Sequence, residues 1–190
     1  MTRTKPAEQR RADLLAAGRT LFLAKGIAAT SLDDITRQAG VSKGLFYLYF
    51  ASKEDLVLAL QEQFSGEVAA RMAAAALAEA GQADWGARLD ACVTAGFGCY
   101  RELHDLHEVL FHHPHTVRSD PAAATLVIRD LLAAGVAAGA LDVSDPEATA
   151  VLCYASMHAF DHDFRGRPGP DDTRLVRAAQ QLFRRAAGLR

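Results

Sequence analysis

No proline occurs between Pro6 and Pro114, an interval that covers more than half of the 190-residue chain. Alanine, leucine, arginine and glutamate, which favour helices, are abundant in this interval. The sequence lacks the sustained alternation of apolar and polar residues that indicates β-strands. It therefore predicts an all-α fold of about nine helices, three of them in the N-terminal part.

The N-terminal part carries clear signals for where its first two helices begin and end. Apolar residues recur at helical spacing over residues 7–25, and Gly26 predicts the end of this first helix. Ser31 is a suitable N-cap for the second helix, because Asp34 lies three residues later in the capping-box position. These signals predict a helix over 7–25 and a second helix that begins after Ser31.

A glycine-containing turn joins the second helix to a third. The two predicted helices cover residues 32–39 and 43–50, with Gly40, Val41 and Ser42 between them. This is the pattern of a helix-turn-helix, whose second helix enters the major groove of DNA. The free N–H groups at the start of that helix favour phosphate. The spacing therefore indicates DNA binding by the third helix.

Charge is distributed unevenly along the chain, although the net charge is only −2. Residues 1–53 contain nine Lys and Arg against four Asp and Glu, whereas residues 54–190 contain twelve against nineteen. A basic segment joined to an acidic one suggests that the first part binds phosphate and the second has another task. The sequence thus predicts a boundary near residue 53.

Composition also indicates the compartment in which the chain resides. No run of eighteen apolar residues is present, so no membrane span is expected. The basic N-terminus lacks an apolar segment behind it and is not a signal peptide. Three cysteines without paired spacing indicate reduced, mostly buried thiols. We therefore expect a cytoplasmic protein.

The segment from Leu14 to Leu56 resembles the N-terminal DNA-binding domain of the tetracycline-repressor (TetR) family of transcriptional regulators. The resemblance depends on glycine, valine, serine, lysine and glycine at 40–44, followed at the family's spacing by Tyr47, Phe50, Ser52 and Lys53. It implies a homodimeric, ligand-responsive repressor. Residues 1–53 would bind a near-palindromic operator in double-stranded DNA, and residues 54–190 would bind a small-molecule effector and form the dimer.

The resemblance also assigns DNA contacts to individual positions at the second, third and fourth helices. The implied DNA-binding residues are Thr30, Ser31, Ser42, Lys43, Gly44, Leu45, Tyr47, Tyr49 and Lys53. A lysine in the first turn of a helix opposes the helix dipole, so an external phosphate would explain the position of Lys53. Leu45 could contact a thymine methyl group. Leu48, where the family often has a polar residue, is expected to pack.

The C-terminal part has candidate residues for an effector pocket between helices. The candidates are Phe97, Tyr100, His104, His107, Phe111, Tyr154, Met157, His158 and Asp161. Such apolar and aromatic residues are more often core than cofactor site. By resemblance, helices near 145–165 and 172–187 would form the dimer, and their small residues would allow close packing. No cofactor is expected.

All seven histidines lie between residues 104 and 162, which raises the alternative of a metal-sensing regulator. His104 and His107 are three residues apart, and His158 and His162 are four apart. Either spacing places two imidazoles on one helical face, where they can chelate a transition metal. Neither an H-E-x-x-H nor a C-x-x-C motif accompanies them. The plainer interpretation is that some histidines line a polar pocket or a dimer surface and that those beside Pro114 lie in a loop.

A remote alternative is a serine hydrolase, since residues 40–44 also fit the G-x-S-x-G pattern of a nucleophile elbow around Ser42. That elbow requires a buried strand before the serine and a helix after it. The preceding residues 35–39 are half polar and follow a helical pattern. The sequence therefore predicts that the chain is not an enzyme.

Overall fold

The computed structural model describes residues 6–81, 84–111, 122–157 and 172–189, and within these ranges all regular structure is helical. The helices are α1 (Ala7–Lys25), α2 (Leu32–Ala39), α3 (Lys43–Tyr47), α4 (Lys53–Ala78), α5 (Trp85–Glu102), α6 (His104–Phe111), α7 (Ala122–Ala137), α8 (Pro146–Met157) and α9 (Asp172–Ala186). A 3-10 turn at Glu79–Gly81 follows α4. The prediction of an all-α fold is confirmed.

The chain divides into two compact units. The head unit comprises Met1–Phe64 and Leu103–Ser119, and the body unit comprises Ser65–Glu102 and Asp120–Arg190. The head unit thus contains α6 as well as the three N-terminal helices, because α6 packs against α1. The functional boundary near residue 53 stays a prediction.

The turns of the head unit follow the signals in its sequence. Helix α1 ends before Gly26, as predicted. Ser31 and Asp34 form the predicted capping box at the start of α2. Gly40, with φ +66°, adopts the left-handed conformation in which a side chain would be strained. The chain can therefore reverse between α2 and α3 in only a few residues.

Helix α3 is shorter than predicted, since it ends at Tyr47 and not near residue 50. The Leu48 N–H donates to the Leu45 carbonyl at 3.2 Å, and the Tyr49 N–H donates to the Phe46 carbonyl at 2.9 Å. Both bonds span three residues and tighten the chain beyond the α-helical pitch. Ser52 then caps α4 by accepting a hydrogen bond from the Asp55 N–H.

The core of the head unit is made by side chains from every one of its N-terminal helices. Phe22, Ile35 and Phe46 are fully buried. Gly18 allows Leu56 to approach α1, because a Cβ atom at residue 18 would lie only 2.7 Å from a Leu56 methyl group. A short helix such as α3 gains its stability from this packing and not from its own hydrogen bonds.

Helix α6 is held in the head unit by a polar and an aromatic contact. The fully buried side chain of Gln61 donates to the carbonyl of Leu110 at 2.7 Å. The imidazole of His107 lies 4.9 Å from the ring of Phe111 and 5.5 Å from that of Phe64. The Gln61 amide therefore satisfies a carbonyl at the C-terminal end of α6 that has no partner within the helix.

The body unit packs α7 against α8 and α9 against α5. A bidentate ion pair joins the last two, with Arg184 donating to both carboxylate oxygens of Asp90 at 2.9 and 2.8 Å. Gly96 lies against Met157 and Met72, so closely that a Cβ atom would collide with the Met157 methyl group and make a tight contact with the Met72 sulfur. Of the helices in the described ranges, none is long and apolar enough to cross a bilayer.

The three cysteines are free and buried, as predicted. Burial raises the pKa of Cys92 to about 12 and that of Cys153 to about 11, and it also raises the pKa of Cys99. Only the thiolate reacts with alkylating reagents. We therefore expect the folded protein at pH 7 to take up no more than about one iodoacetamide adduct while the denatured chain takes up three. Mass spectrometry measures the difference, and equal labelling of both forms would contradict it.

Candidate nucleic-acid interface

The start of α3 is open to solvent. Ser42 accepts a hydrogen bond from the Leu45 N–H at 3.2 Å and thereby caps the helix. Ser42, Lys43 and Gly44 are all exposed. A Cβ atom at Gly44 would meet only the Ser42 hydroxyl, at 4.0 Å, so the backbone there is accessible to a close partner. The structure thus presents the first turn of α3 to an external surface.

The aromatic end of α3 divides into an inner and an outer face. Phe46 and Phe50, four residues apart, are 0% and 2% exposed and pack into the head unit. Tyr47 and Leu48 point outward and are 58% and 77% exposed. The expectation that Leu48 packs is therefore wrong, because the two phenylalanines already occupy the inner face. Leu48 is a candidate contact residue that the sequence reasoning missed.

Two further residues of the predicted set lie at the margin of this outer face. Leu45 and Tyr49 are half-buried. Each leaves part of its side chain at the surface beside Tyr47 and Leu48. We call the exposed surface of Ser42, Lys43, Gly44, Leu45, Tyr47, Leu48 and Tyr49 the α3 outer face.

An acidic residue of α2 reaches the α3 outer face. The Lys43 ammonium lies 2.6 Å from the Asp33 carboxylate, and the two side chains are 60% and 53% exposed. The hydrogen bond that Lys43 donates to this carboxylate raises the pKa of Lys43, so the lysine stays charged at all physiological pH values. A phosphate that binds Lys43 must therefore compete with Asp33.

The start of α2 is also exposed, and an ion pair with a lysine of α1 holds it in position. Ser31 donates its hydroxyl to Asp34 at 2.8 Å and accepts the Asp34 N–H at 3.2 Å. Lys25 forms an ion pair with the same carboxylate at 2.7 Å. The hydrogen bonds from Lys25 and Ser31 lower the pKa of Asp34, so the cap is ionised across the physiological range. Ser31 remains accessible for a backbone contact.

Thr30 does not fit the DNA-binding role that the resemblance assigns to it. Its side chain is 1% exposed, and its hydroxyl donates to the Gly26 carbonyl at 2.7 Å. Its N–H donates to the carbonyl of Ile27 at 3.2 Å. Thr30 therefore organises the turn between α1 and α2 and has no side-chain surface to offer a ligand.

Lys53 differs from the expectation in a similar way. Its ammonium donates to the carbonyls of Ile27 and Thr30 at 2.8 and 2.9 Å, and the residue is half-buried. These two carbonyls compensate the unfavourable position of a lysine at a helix start. Partners inside the head unit therefore also account for the position of Lys53, and a phosphate contact by this residue stays a prediction.

The candidate effector residues do not fall in one unit of the structure. Phe97, Tyr100, Tyr154 and Met157 belong to the body unit, where the hydroxyls of Tyr100 and Tyr154 lie 3.0 Å apart. His104, His107 and Phe111 belong to the head unit. His158 and Asp161 lie outside the described residues.

The described residues give the metal-sensing alternative no support. None of them form a group of three His, Cys, Asp or Glu side chains that could hold a metal ion. His107 is 6% exposed and packs between aromatic rings. His158 and His162, the second half of the predicted metal set, lie outside the described ranges.

Ser42 lacks the setting of a hydrolase nucleophile. It follows helix α2 and a left-handed turn at Gly40, where a nucleophile elbow requires a strand. Its hydroxyl is engaged as the N-cap of α3. Two short helices joined by a tight turn, with the second helix exposed, define instead a helix-turn-helix protein.

Comparison with known proteins supports the assignment to the helix-turn-helix class. Residues 14–60 match the family described as bacterial regulatory proteins, tetR family. The HTH-type transcriptional activator FasR of Mycolicibacterium smegmatis is 40% identical over 58 residues, which cover 30% of this chain and 26% of FasR. The chain spans about a quarter or less of the length of the curated relatives it matches.

Solved structures extend the likeness in fold to more than nine tenths of the chain. A tetR-family regulator from Pectobacterium atrosepticum is 26% identical with a TM-score of 0.66, covering 93% of this chain and 91% of that one. One from Rhodococcus RHA1 is 22% identical with a TM-score of 0.68, covering 98% and 100%. The segment 14–60 therefore matches the tetR family of regulatory proteins, and the chain shares the fold of solved regulators of that family.

Proposed function

We propose that the head unit binds double-stranded DNA by placing the α3 outer face in the major groove. The observation that carries the proposal is the exposure of Tyr47 and Leu48, at 58% and 77%, at the C-terminal end of α3, where Phe46 and Phe50 on the opposite side are buried. Exposed apolar residues that lie side by side form a patch, and such a patch marks an interaction site. Side chains of this kind contact thymine methyl groups in the groove. Such a protein acts in the cytoplasm, where its operator lies.

The experiment that tests DNA binding is selection of bound fragments from genomic DNA by the purified protein. We expect enrichment of fragments that share a near-palindromic sequence, bound with an affinity that falls as salt concentration rises. Recovery of random fragments, or binding that does not distinguish the enriched sequence from unrelated DNA, would count against the proposal. The enriched fragments also identify the regulated genes.

We further propose that the chain acts as a homodimer through α8 and α9. On α8, Val151 and Leu152 are 53% and 72% exposed, and the exposed Ala148 and Ala155 extend the same helical stripe. On α9, Leu182 is 47% exposed. Two copies that bury these stripes against each other would form a symmetric dimer. Its two α3 helices would read the two halves of a near-palindromic operator.

A small molecule is proposed to release this dimer from its operator, so that the chain works as a repressor. Apolar side chains such as Met72 and Met157 fill the body unit beside Gly96. Methionine side chains rearrange readily, so an effector that displaces them would favour a different body conformation. The mechanism requires unequal effector affinity for the free and DNA-bound forms. An effector that saturates the protein without changing operator affinity would contradict it.

The ion pair between Asp33 and Lys43 should weaken DNA binding, because it engages the lysine that phosphate would contact. We expect Asp33→Asn to strengthen binding to unrelated DNA by about threefold to tenfold, because Lys43 becomes available to phosphate. The slope of log K against log salt should become steeper by the equivalent of about one released counterion. Fluorescence anisotropy at several salt concentrations measures both quantities. Asp130→Asn, which removes an exposed carboxylate from the body unit, is the control. Equal effects of the two substitutions would show that only net charge matters.

A further inference from the structure

Asp33 lies where the beginnings of α2 and α3 meet. It is the second residue of α2, and its carboxylate lies 2.6 Å from the ammonium of Lys43, the first residue of α3. More than half of each side chain is exposed. An ion pair as exposed as this one contributes little to stability. The fold therefore depends little on the pair, whose polar atoms remain accessible to a ligand.

The neighbouring carboxylate already performs the structural task at the start of α2. Asp34 accepts the hydrogen bonds of the capping box from Ser31, and it also pairs with Lys25. Within the described part of the chain, Lys43 is the sole side-chain partner of Asp33. A carboxylate has about four lone-pair sites, and an ammonium has three donors. Asp33 and Lys43 thus each retain the capacity for a further hydrogen bond.

The ion pair presents a hydrogen-bond acceptor directly beside a donor. A base pair shows the complementary arrangement in the major groove, with an amino group beside a carbonyl oxygen. A carboxylate that accepts from cytosine N4 meets no acceptor on that base, whereas at adenine it would also face N7. A lysine can donate to O6 and N7 of guanine but only to O4 of thymine. A C·G pair therefore fits the two side chains better than an A·T pair.

We propose that Asp33 is a specificity-determining residue that reads, together with Lys43, one C·G base pair in each half of the operator. Asp33 accepts from cytosine N4, and Lys43 donates to the guanine of the same pair. The inference rests on the proposed DNA-binding function. On unrelated DNA the same ion pair keeps Lys43 from phosphate. The pair thus opposes nonspecific binding and favours one base pair, and both effects increase specificity.

The test measures how well Asp33→Asn and the unmodified protein distinguish two forms of the selected operator. Each C·G pair that occurs in both halves is replaced in turn by A·T, with adenine where cytosine stood. At one such pair, we expect the replacement to weaken binding of the unmodified protein about tenfold or more. Asparagine pairs with N6 and N7 of adenine. Asp33→Asn should therefore bind the A·T form at least as tightly as the C·G form.

Fluorescence anisotropy gives the four affinities, and the ratio for each protein does not depend on the fraction of active molecules. Glu62→Gln is the control, because it removes an exposed carboxylate from α4 in the same head unit. This variant should discriminate between the two operators as the unmodified protein does.

Three results would overturn the proposal. The first is a selected operator without a C·G pair in its halves. The second is equal discrimination by Asp33→Asn and the unmodified protein at every such pair, which would leave Asp33 only a repulsive charge. The third is the same loss of discrimination in Glu62→Gln, which would assign the effect to net charge. Failure of the unmodified protein to bind any DNA would instead refute the proposed function.

Discussion

Leu48→Asp should weaken operator binding by roughly a hundredfold while leaving the fold intact. Leu48 is 77% exposed, so its replacement removes little buried surface and the melting temperature should change little. A carboxylate on the α3 outer face would lie against the DNA phosphates and lose the apolar contact. Like-charge juxtaposition at an interface costs several kcal/mol, and about 3 kcal/mol corresponds to roughly a hundredfold loss of affinity. Anisotropy titration with the selected operator measures the loss.

Leu23→Asp is the matched control for this substitution. Leu23 is an exposed leucine of the same head unit, on α1 and outside the predicted DNA-binding set. The substitution introduces the same charge on an exposed position of the same unit, but not on the α3 outer face. We expect at most a severalfold loss of affinity from it. A loss equal to that of Leu48→Asp would mean that general repulsion, and not contact with DNA, explains the effect.

Leu152→Glu should convert the dimer into monomers and reduce operator affinity by at least about a hundredfold. Leu152 is 72% exposed in the described structure, and a second copy would bury it at the centre of the α8 stripe. A buried, unpaired carboxylate opposes association strongly. Two linked heads bind far more tightly than one, because the second contact is intramolecular. Analytical ultracentrifugation gives the mass and anisotropy gives the affinity.

Leu77→Glu serves as the control for dimerisation. Leu77 is 69% exposed and lies near the end of α4, outside α8 and α9. The dimer should survive this substitution with its operator affinity intact. If Leu77→Glu yields monomers and Leu152→Glu does not, the dimer uses a different surface from the one proposed.

The helix boundaries of the head unit could be predicted because they depend on local chemistry. Ser31 with Asp34, Gly40, and Ser42 each act on backbone groups within a few residues, and the structure confirms all three. Helix α3 ended early because its last turn tightens into three-residue hydrogen bonds, which no single residue signals. Local sequence signals therefore predict where the recognition helix begins but not where it ends.

The roles of Lys53, Thr30 and Leu48 could not be predicted in the same way. Lys53 and its acceptor Thr30 are 23 residues apart, and no periodicity in the sequence encodes such a contact. The exposure of Leu48 does have a signal: the four-residue spacing of Phe46 and Phe50 assigns both to one face and leaves Leu48 on the other. The family resemblance identifies candidate positions for DNA contacts, whereas the packing of the head unit determines which of those side chains are exposed.

The most direct test of the central claim, that α3 docks in the major groove, is DNA cleavage by an iron chelate attached at Leu48→Cys. The three native thiols are buried, so the new thiol is labelled selectively. We expect cleavage within each half of the operator, at two sites separated by about one helical turn or a multiple of it. Cleavage only from a chelate attached at Leu23→Cys, or none from residue 48 while the operator is fully bound, would contradict it.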